Sequence, residues 1–128
     1  MLAGAHALSG QPNPDPDWTP HAAKFKGRFR VPTLRNVDKR PYDGFVKSYG
    51  HNGYFKSLKE ITHFYNTRDV LPRCAPNDPG EKVFCWPAPE YADNMNTRQL
   101  GNLGLSDEEE NAIVAFMKTL SDGYTNSK

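Results

Sequence analysis

Ser57-x-x-Glu60 and Ser106-x-x-Glu109 each stand directly before an amphipathic run, and they limit this chain to two substantial helices. In such a box the serine side chain accepts from a backbone N–H of the first turn while the glutamate reaches back to the cap, so the helix start is satisfied locally. After the first box, Leu58, Ile61 and Tyr65 recur at i, i+3 and i+7 with Phe64 beside them. This spacing predicts a helix over 58–66 with Tyr65 pointing into whatever that face covers. After the second box, the acids at 107–110 complement a helix N-terminus, and Ala112, Ile113, Phe116, Met117 and Leu120 form an apolar stripe closed by Lys118 and Gly123. Two helices of this size cannot enclose a large core. Their apolar faces need the irregular segments, a cofactor, another chain, or all three.

The rest of the chain argues for loops. It has 128 residues, enough for one domain, and its 11 Pro and 10 Gly keep much of it out of regular structure. Residues 1–23 read as an irregular N-terminal arm, with Trp18 either pinning it to the body or lying at its edge. Over 24–50, Phe25, Gly27, Phe29 and Val31 alternate as in a strand, but Gly27 and Pro32 discourage a sheet, so an extended segment with a short turn at 33–37 is expected. Residues 67–104 form the longest irregular section, and a connection of that length in a compact domain is commonly functional. In it, Trp86, just ahead of Pro87 and Pro89, reads as an anchoring ring, and Met95 sits in a polar context where packing or partial exposure competes with a role as a soft ligand to haem iron.

Cys74 and Cys85 close a modest loop inside this Pro/Asn/Asp/Gly-rich stretch. A disulfide there, with about 3 kcal/mol of stabilisation from unfolded-state entropy, is favoured over free thiols, and two cysteines are too few for a structural zinc site. An oxidising compartment follows from that reading.

Sixteen basic and fifteen acidic side chains give a formal net charge of +1, which supplies no global attraction to nucleic acid or an anionic membrane. Residues 24–40 are locally basic, with seven cations against Asp38, and suit an anionic patch on a partner or a cofactor carboxylate. No run is long and apolar enough to span a bilayer, and the opening MLAGAHALSG lacks the basic start and longer apolar core of a secretory signal. No phosphate loop, nucleophile elbow or zinc-hydrolase helix is present. His6, His21 and His63 read as surface or hydrogen-bonded residues, and Arg35 as a side chain reaching solvent or held by an anion.

FKGRFRVPTLRNV, then YGHNGYFKSLKEITHFYN, then QLGNLGLSDEEENAIVAFMKTL resemble, in order and spacing, the C-terminal portion of the bacterial di-haem cytochrome c peroxidase and methylamine-dehydrogenase-maturation superfamily. The resemblance covers residues 24–122, which it implies to be a di-haem peroxidase-like domain portion, followed by a tail at 123–128. It implies an all-α fold, a cytochrome c-like domain fragment with long irregular loops, located in the periplasm or otherwise outside the cytoplasm. The family attaches c-type haem through Cys-x-x-Cys-His, a motif this chain lacks. The resemblance therefore implies haem covalently attached outside this chain, on a haem-bearing fragment or subunit, with a redox partner protein possible and no nucleic acid.

Site residues follow residue by residue. Relatives carry a distal iron ligand fourteen residues after the histidine of their His-Asp/Asn-Gly motif; here that histidine is His51 and the position is Tyr65. The resemblance implies Tyr65 as ligand, with Met95 as the alternative, while a pocket-wall or core-packing Tyr65 stays open. His51 is implied to orient Tyr65, a water or a haem propionate, Arg35 to lie near a haem carboxylate, and Gln99 with Gly101 to form a loop of close backbone approach. A haem-dependent electron-transfer or peroxidase-like component is the resulting expectation. Two alternatives are a haem-free structural or interaction domain and a secreted binding module with an exposed aromatic groove at Trp86.

Overall fold

A computed structural model describes residues 19–123, so Trp18, His6, most of the arm and the tail beyond Gly123 lie outside the described residues. All regular secondary structure among the described residues is helical: a 3-10 turn at Thr19–His21 leads into α1 (Ala22–Phe25), followed by α2 (Leu58–Thr67) and α3 (Asp107–Thr119). Three isolated bridges, Tyr49 with Phe55, Arg73 with Trp86 and Glu81 with Cys85, replace a sheet. The short helix at 19–25 departs from the irregular arm and extended segment expected there. Pro20 stands in its opening turn, where a missing N–H costs nothing, and two alanines follow.

The chain divides into two compact units. In the first, whose described residues are 19–30 and 89–95, Asn94 Nδ2 donates to Ala23 O and Lys26 O, both at 2.9 Å. Gly27 adopts φ +75° there, which favours glycine, and a Cβ would crowd the Tyr91 ring at 3.2 Å from Cδ1.

The second unit, residues 31–88 and 96–123 of those described, carries α2 and α3, which pack on each other. Its core consists of Tyr49, Phe55, Leu58, Trp86 and Met117, with Val37, Ile61, Phe64, Leu71 and Val114 against it. Trp86 is 0% exposed, and its ring meets Phe64 edge-on at 5.1 Å and Phe55 at 6.2 Å. Its indole N–H donates to Thr67 Oγ1 at 3.0 Å, so the ring is enclosed without stranding a donor. The anchoring role read for Trp86 holds. Because this ring fills the core, Trp86 lines, among the described residues, no exposed groove of the kind the binding-module alternative required.

The expected turn near 33–37 is present: Arg35 N donates to Thr33 Oγ1, Val37 N to Leu34 O and Lys39 N to Asn36 O. The two cysteines are bonded, at an S–S distance of 2.01 Å. Backbone bonds from Cys74 N to Trp86 O and from Trp86 N to Pro72 O then tie the closed loop to the core tryptophan.

Candidate functional site

α2 begins as its sequence dictates, with one shift. Ser57 Oγ accepts from Glu60 N at 3.1 Å, but Glu60 Oε2 reaches Lys56 N at 2.8 Å, one residue before the cap. At α3 the box is reciprocal: Glu109 N donates to Ser106 Oγ and Ser106 N to Glu109 Oε2.

The buried residues of α2 are Leu58, Thr62 and Asn66. Polar side chains take two of these places because their bonds are made inside the fold. Thr62 Oγ1 donates to Leu58 O at 2.8 Å. Asn66 Nδ2 donates to Leu105 O at 2.9 Å and to Glu110 Oε1 at 2.7 Å, while its Oδ1 accepts from Leu105 N at 3.0 Å. Tyr65 is therefore turned out of the chain's own core and is 40% exposed. Of the apolar positions expected on the covered face, Leu58 is buried and Ile61 and Phe64 pack against the core, whereas Tyr65 is not covered by the chain's own described residues.

Glu110, on the facing side of α3, is 2% exposed. Its Oε1 also meets His63 Nδ1 at 3.0 Å, and its Oε2 forms an ion pair with Lys59 Nζ at 2.9 Å whose angles fall short of a hydrogen bond. Burial alone would raise this carboxyl, but the contacts from Asn66, Lys59 and His63 outweigh it and hold the group below the usual glutamate range. Lys59, His63 and Asn66 occupy i, i+4 and i+7 of α2, so one helix face presents three partners to one carboxylate. Sequence reading assigned all four acids at 107–110 to capping and missed this cluster. The signal was Glu110, one residue past the box, opposite a Lys/His/Asn face.

A second lock acts at the other end of α2. Gly101 N donates to Tyr65 O at 2.6 Å, Asp69 N to Gly101 O at 2.8 Å and Leu103 N to Asn66 O at 3.1 Å. Arg68, 8% exposed, grips Asp69 through Nε and Nη2 and donates from Nη2 to Asn96 O and Leu100 O. Hydrogen bonding to Arg68 holds the Asp69 carboxyl below its ordinary range. Gly101 has φ +100°, and a Cβ there would stand 2.1 Å from Asp69 Oδ2. The close backbone approach expected at this glycine is thus found, and it is approach to the end of α2.

The structure joins some of the expected site residues and separates others. The Gln99 segment reaches Tyr65 directly, through Gly101; Gln99 itself is exposed and bonds to Asn96. His51 is exposed in the turn closed by Gly53 N to Gly50 O, just before the bridge that positions Phe55. Arg35 has its side chain 74% exposed with Asp122 Oδ2 at 3.6 Å, so it is both solvated and held by an anion; Asp122 also takes Lys39 at 2.7 Å. Met95 belongs to the first unit and is half-buried. Among the described residues no group of His, Cys, Asp and Glu side chains could hold a metal ion, and no helix is long and apolar enough to cross a membrane.

Tyr65 has an oxygen that donates to no described residue, and it stands beside a backbone edge that ends in Leu103, 42% exposed. Ile113 and Phe116 on α3 are 38% and 59% exposed. The second unit thus carries an exposed phenol on a held stretch of backbone, and also uncovered apolar side chains.

The chain is 38% identical over 97 residues to the methylamine utilization protein MauG of Paracoccus denitrificans, a match covering 75% of this chain and 23% of that protein. The chain thus spans about a quarter of the length of the curated relative it matches. No family model matches it, and no solved structure does.

Proposed function

The chain belongs to the di-haem cytochrome c peroxidase and methylamine-dehydrogenase-maturation superfamily, and from that premise we propose that it is the distal-side part of a haem-dependent redox protein acting outside the cytoplasm. The observation that carries this reading is Tyr65: the position matching the family's variable iron ligand is a phenol on a doubly locked helix, facing outward. A tyrosine serving only the chain's own core would be covered by it. The disulfide between Cys74 and Cys85 supports an oxidising compartment.

Within this reading the haem is supplied from outside the chain. Tyr65 would offer its oxygen to the iron. Arg35 would offer its guanidinium to a haem carboxylate in competition with Asp122, and His51 an imidazole for a water or propionate. Gln99 and Gly101 would hold the backbone edge beside Tyr65. When bound, the haem supplies an iron able to change oxidation state, and tyrosinate ligation favours the ferric form. The chain's own contribution is to hold the backbone that carries Tyr65, through the Asn66–Glu110 contact and the Gly101 lock. Because Cys-x-x-Cys-His is absent here, the thioether cysteines belong to a haem-bearing fragment or subunit.

The missing motif also favours a second reading, a haem-free interaction domain that keeps the family body. An absorption spectrum of the native assembly separates the two. A Soret band, with haem peptides recovered from sequence outside this chain, supports the redox reading. Its absence from native material overturns that reading in favour of the interaction domain.

A further inference from the structure

We propose that residues 24–30, Lys-Phe-Lys-Gly-Arg-Phe-Arg, form a docking strip for the acidic surface of a partner protein. Four cations fall within these seven positions with no acid among them, in a chain whose net charge is only +1. All seven residues are exposed, and none of Lys24, Lys26, Arg28 and Arg30 forms an ion pair among the described residues. By contrast, the other cations of the basic stretch have partners: Arg35 and Lys39 take Asp122, and Arg40 takes Asp38. Uncompensated charge is therefore concentrated in this strip.

Its aromatic rings are held among the charges. Lys24 Nζ lies 5.7 Å and the Arg28 guanidinium 6.0 Å from the Phe25 ring centre, and Lys26 Nζ sits 4.7 Å over Tyr91. The Arg28 N to Phe25 O bond and the left-handed Gly27 fix a turn between them. Phe25 and Phe29 nonetheless remain 40% and 58% exposed.

This arrangement separates three kinds of anionic partner. A membrane-binding element segregates an apolar face from a cationic one, whereas here cations and rings intermingle around a turn. A nucleic acid demands many phosphate contacts and a protein field to match, and a chain of net charge +1 has no such field. A patch of aspartate and glutamate on a folded protein fits best. Arg28 and Arg30 can each grip a carboxylate with two N–H groups, Lys24 and Lys26 act as point charges, and the exposed rings give the contact area typical of protein interfaces. Charges at such a site act chiefly on the association rate and its salt dependence.

The proposal is independent of the haem reading, and its test uses the full chain with an oligoglutamate peptide, phosphatidylglycerol vesicles and a single-stranded oligonucleotide as probes. The native chain is expected to bind oligoglutamate in preference to the other two, with affinity falling as salt rises. Reversal of the four charges, K24E/K26E/R28E/R30E, is expected to weaken peptide binding by about tenfold or more. Reversal of Lys118, an exposed cation on α3, should leave it unchanged. Equal loss in the Lys118 variant, tighter binding to vesicles or oligonucleotide, or no binding of the peptide would each overturn the assignment. A circular-dichroism spectrum and unfolding midpoint unaltered by the four reversals would show that any loss concerns docking rather than folding.

Discussion

Asn66 donates its side-chain amide to the carboxylate of Glu110 at 2.7 Å across the α2–α3 interface, and both residues are almost fully enclosed. The same asparagine pairs both backbone groups of Leu105, so one side chain joins α2 to α3 and to the segment leading into it. Asn66→Ala strands a carbonyl, an N–H and part of a buried carboxylate at once. Removing it should cost about 3 kcal/mol, read as the loss in urea unfolding free energy. A change below about 0.5 kcal/mol, the level of an ordinary surface substitution, would show that the network does not hold the helices together.

Acid should loosen the same junction. Glu110 and Asp69 both have carboxyls held below their ordinary ranges in the fold. The stability they contribute is fully present above the unfolded carboxylate pKa and is lost as pH falls through the folded values. Unfolding midpoints should therefore drop from about pH 5 downward, and Glu110→Gln should make that drop shallower while lowering stability at neutral pH. An unchanged acid slope in the glutamine variant would remove Glu110 from the account.

Gly101 permits no side chain. Gly101→Ala would drive a Cβ into the Asp69 carboxylate that Arg68 holds, at a backbone angle of +100°. The expected cost is about 2–4 kcal/mol, with loss of amide-exchange protection at Asp69 and Gly101. Protection equal to that of the native chain would contradict the tight approach.

The Cys74–Cys85 bond encloses a loop whose Glu81 accepts from the Tyr54 hydroxyl and whose Lys82 donates to Tyr54 O at 2.8 Å. Replacing both cysteines with serine should lower stability by about 3 kcal/mol and expose Trp86, visible as a red shift of its fluorescence. Peptide mapping without reductant should recover the two cysteines as one linked pair. Free thiols in native material would contradict the bond.

What the sequence made legible, and what it hid, follows from the range of the interactions. Ser57, Ser106 and their glutamates act within four residues, so both helix starts were readable, as was Trp86 as an anchor ahead of Pro87 and Pro89. The outward turn of Tyr65 was not. It depends on Asn66 and Glu110 finding each other across 44 positions, and a periodicity that counts apolar residues scores both of these as surface. Arg35 was readable as a side chain reaching solvent or held by an anion, but the anion, Asp122, is set by the end of α3 and no local pattern names it. The short helix at 22–25 escaped because the alternation of Phe25, Gly27, Phe29 and Val31 imitates a strand.

Tyr65 as an iron ligand is the centre of the functional account, and Tyr65→Phe tests it most directly. The hydroxyl bonds to no described residue and the side chain is 40% exposed, so its loss should change the unfolding free energy by less than about 0.5 kcal/mol. In the haem-loaded assembly the same substitution should shift the ferric electron-paramagnetic-resonance spectrum and move the reduction potential, with the haem content intact. An unaltered ferric spectrum and potential in a haem-loaded Tyr65→Phe assembly would contradict ligation by this residue.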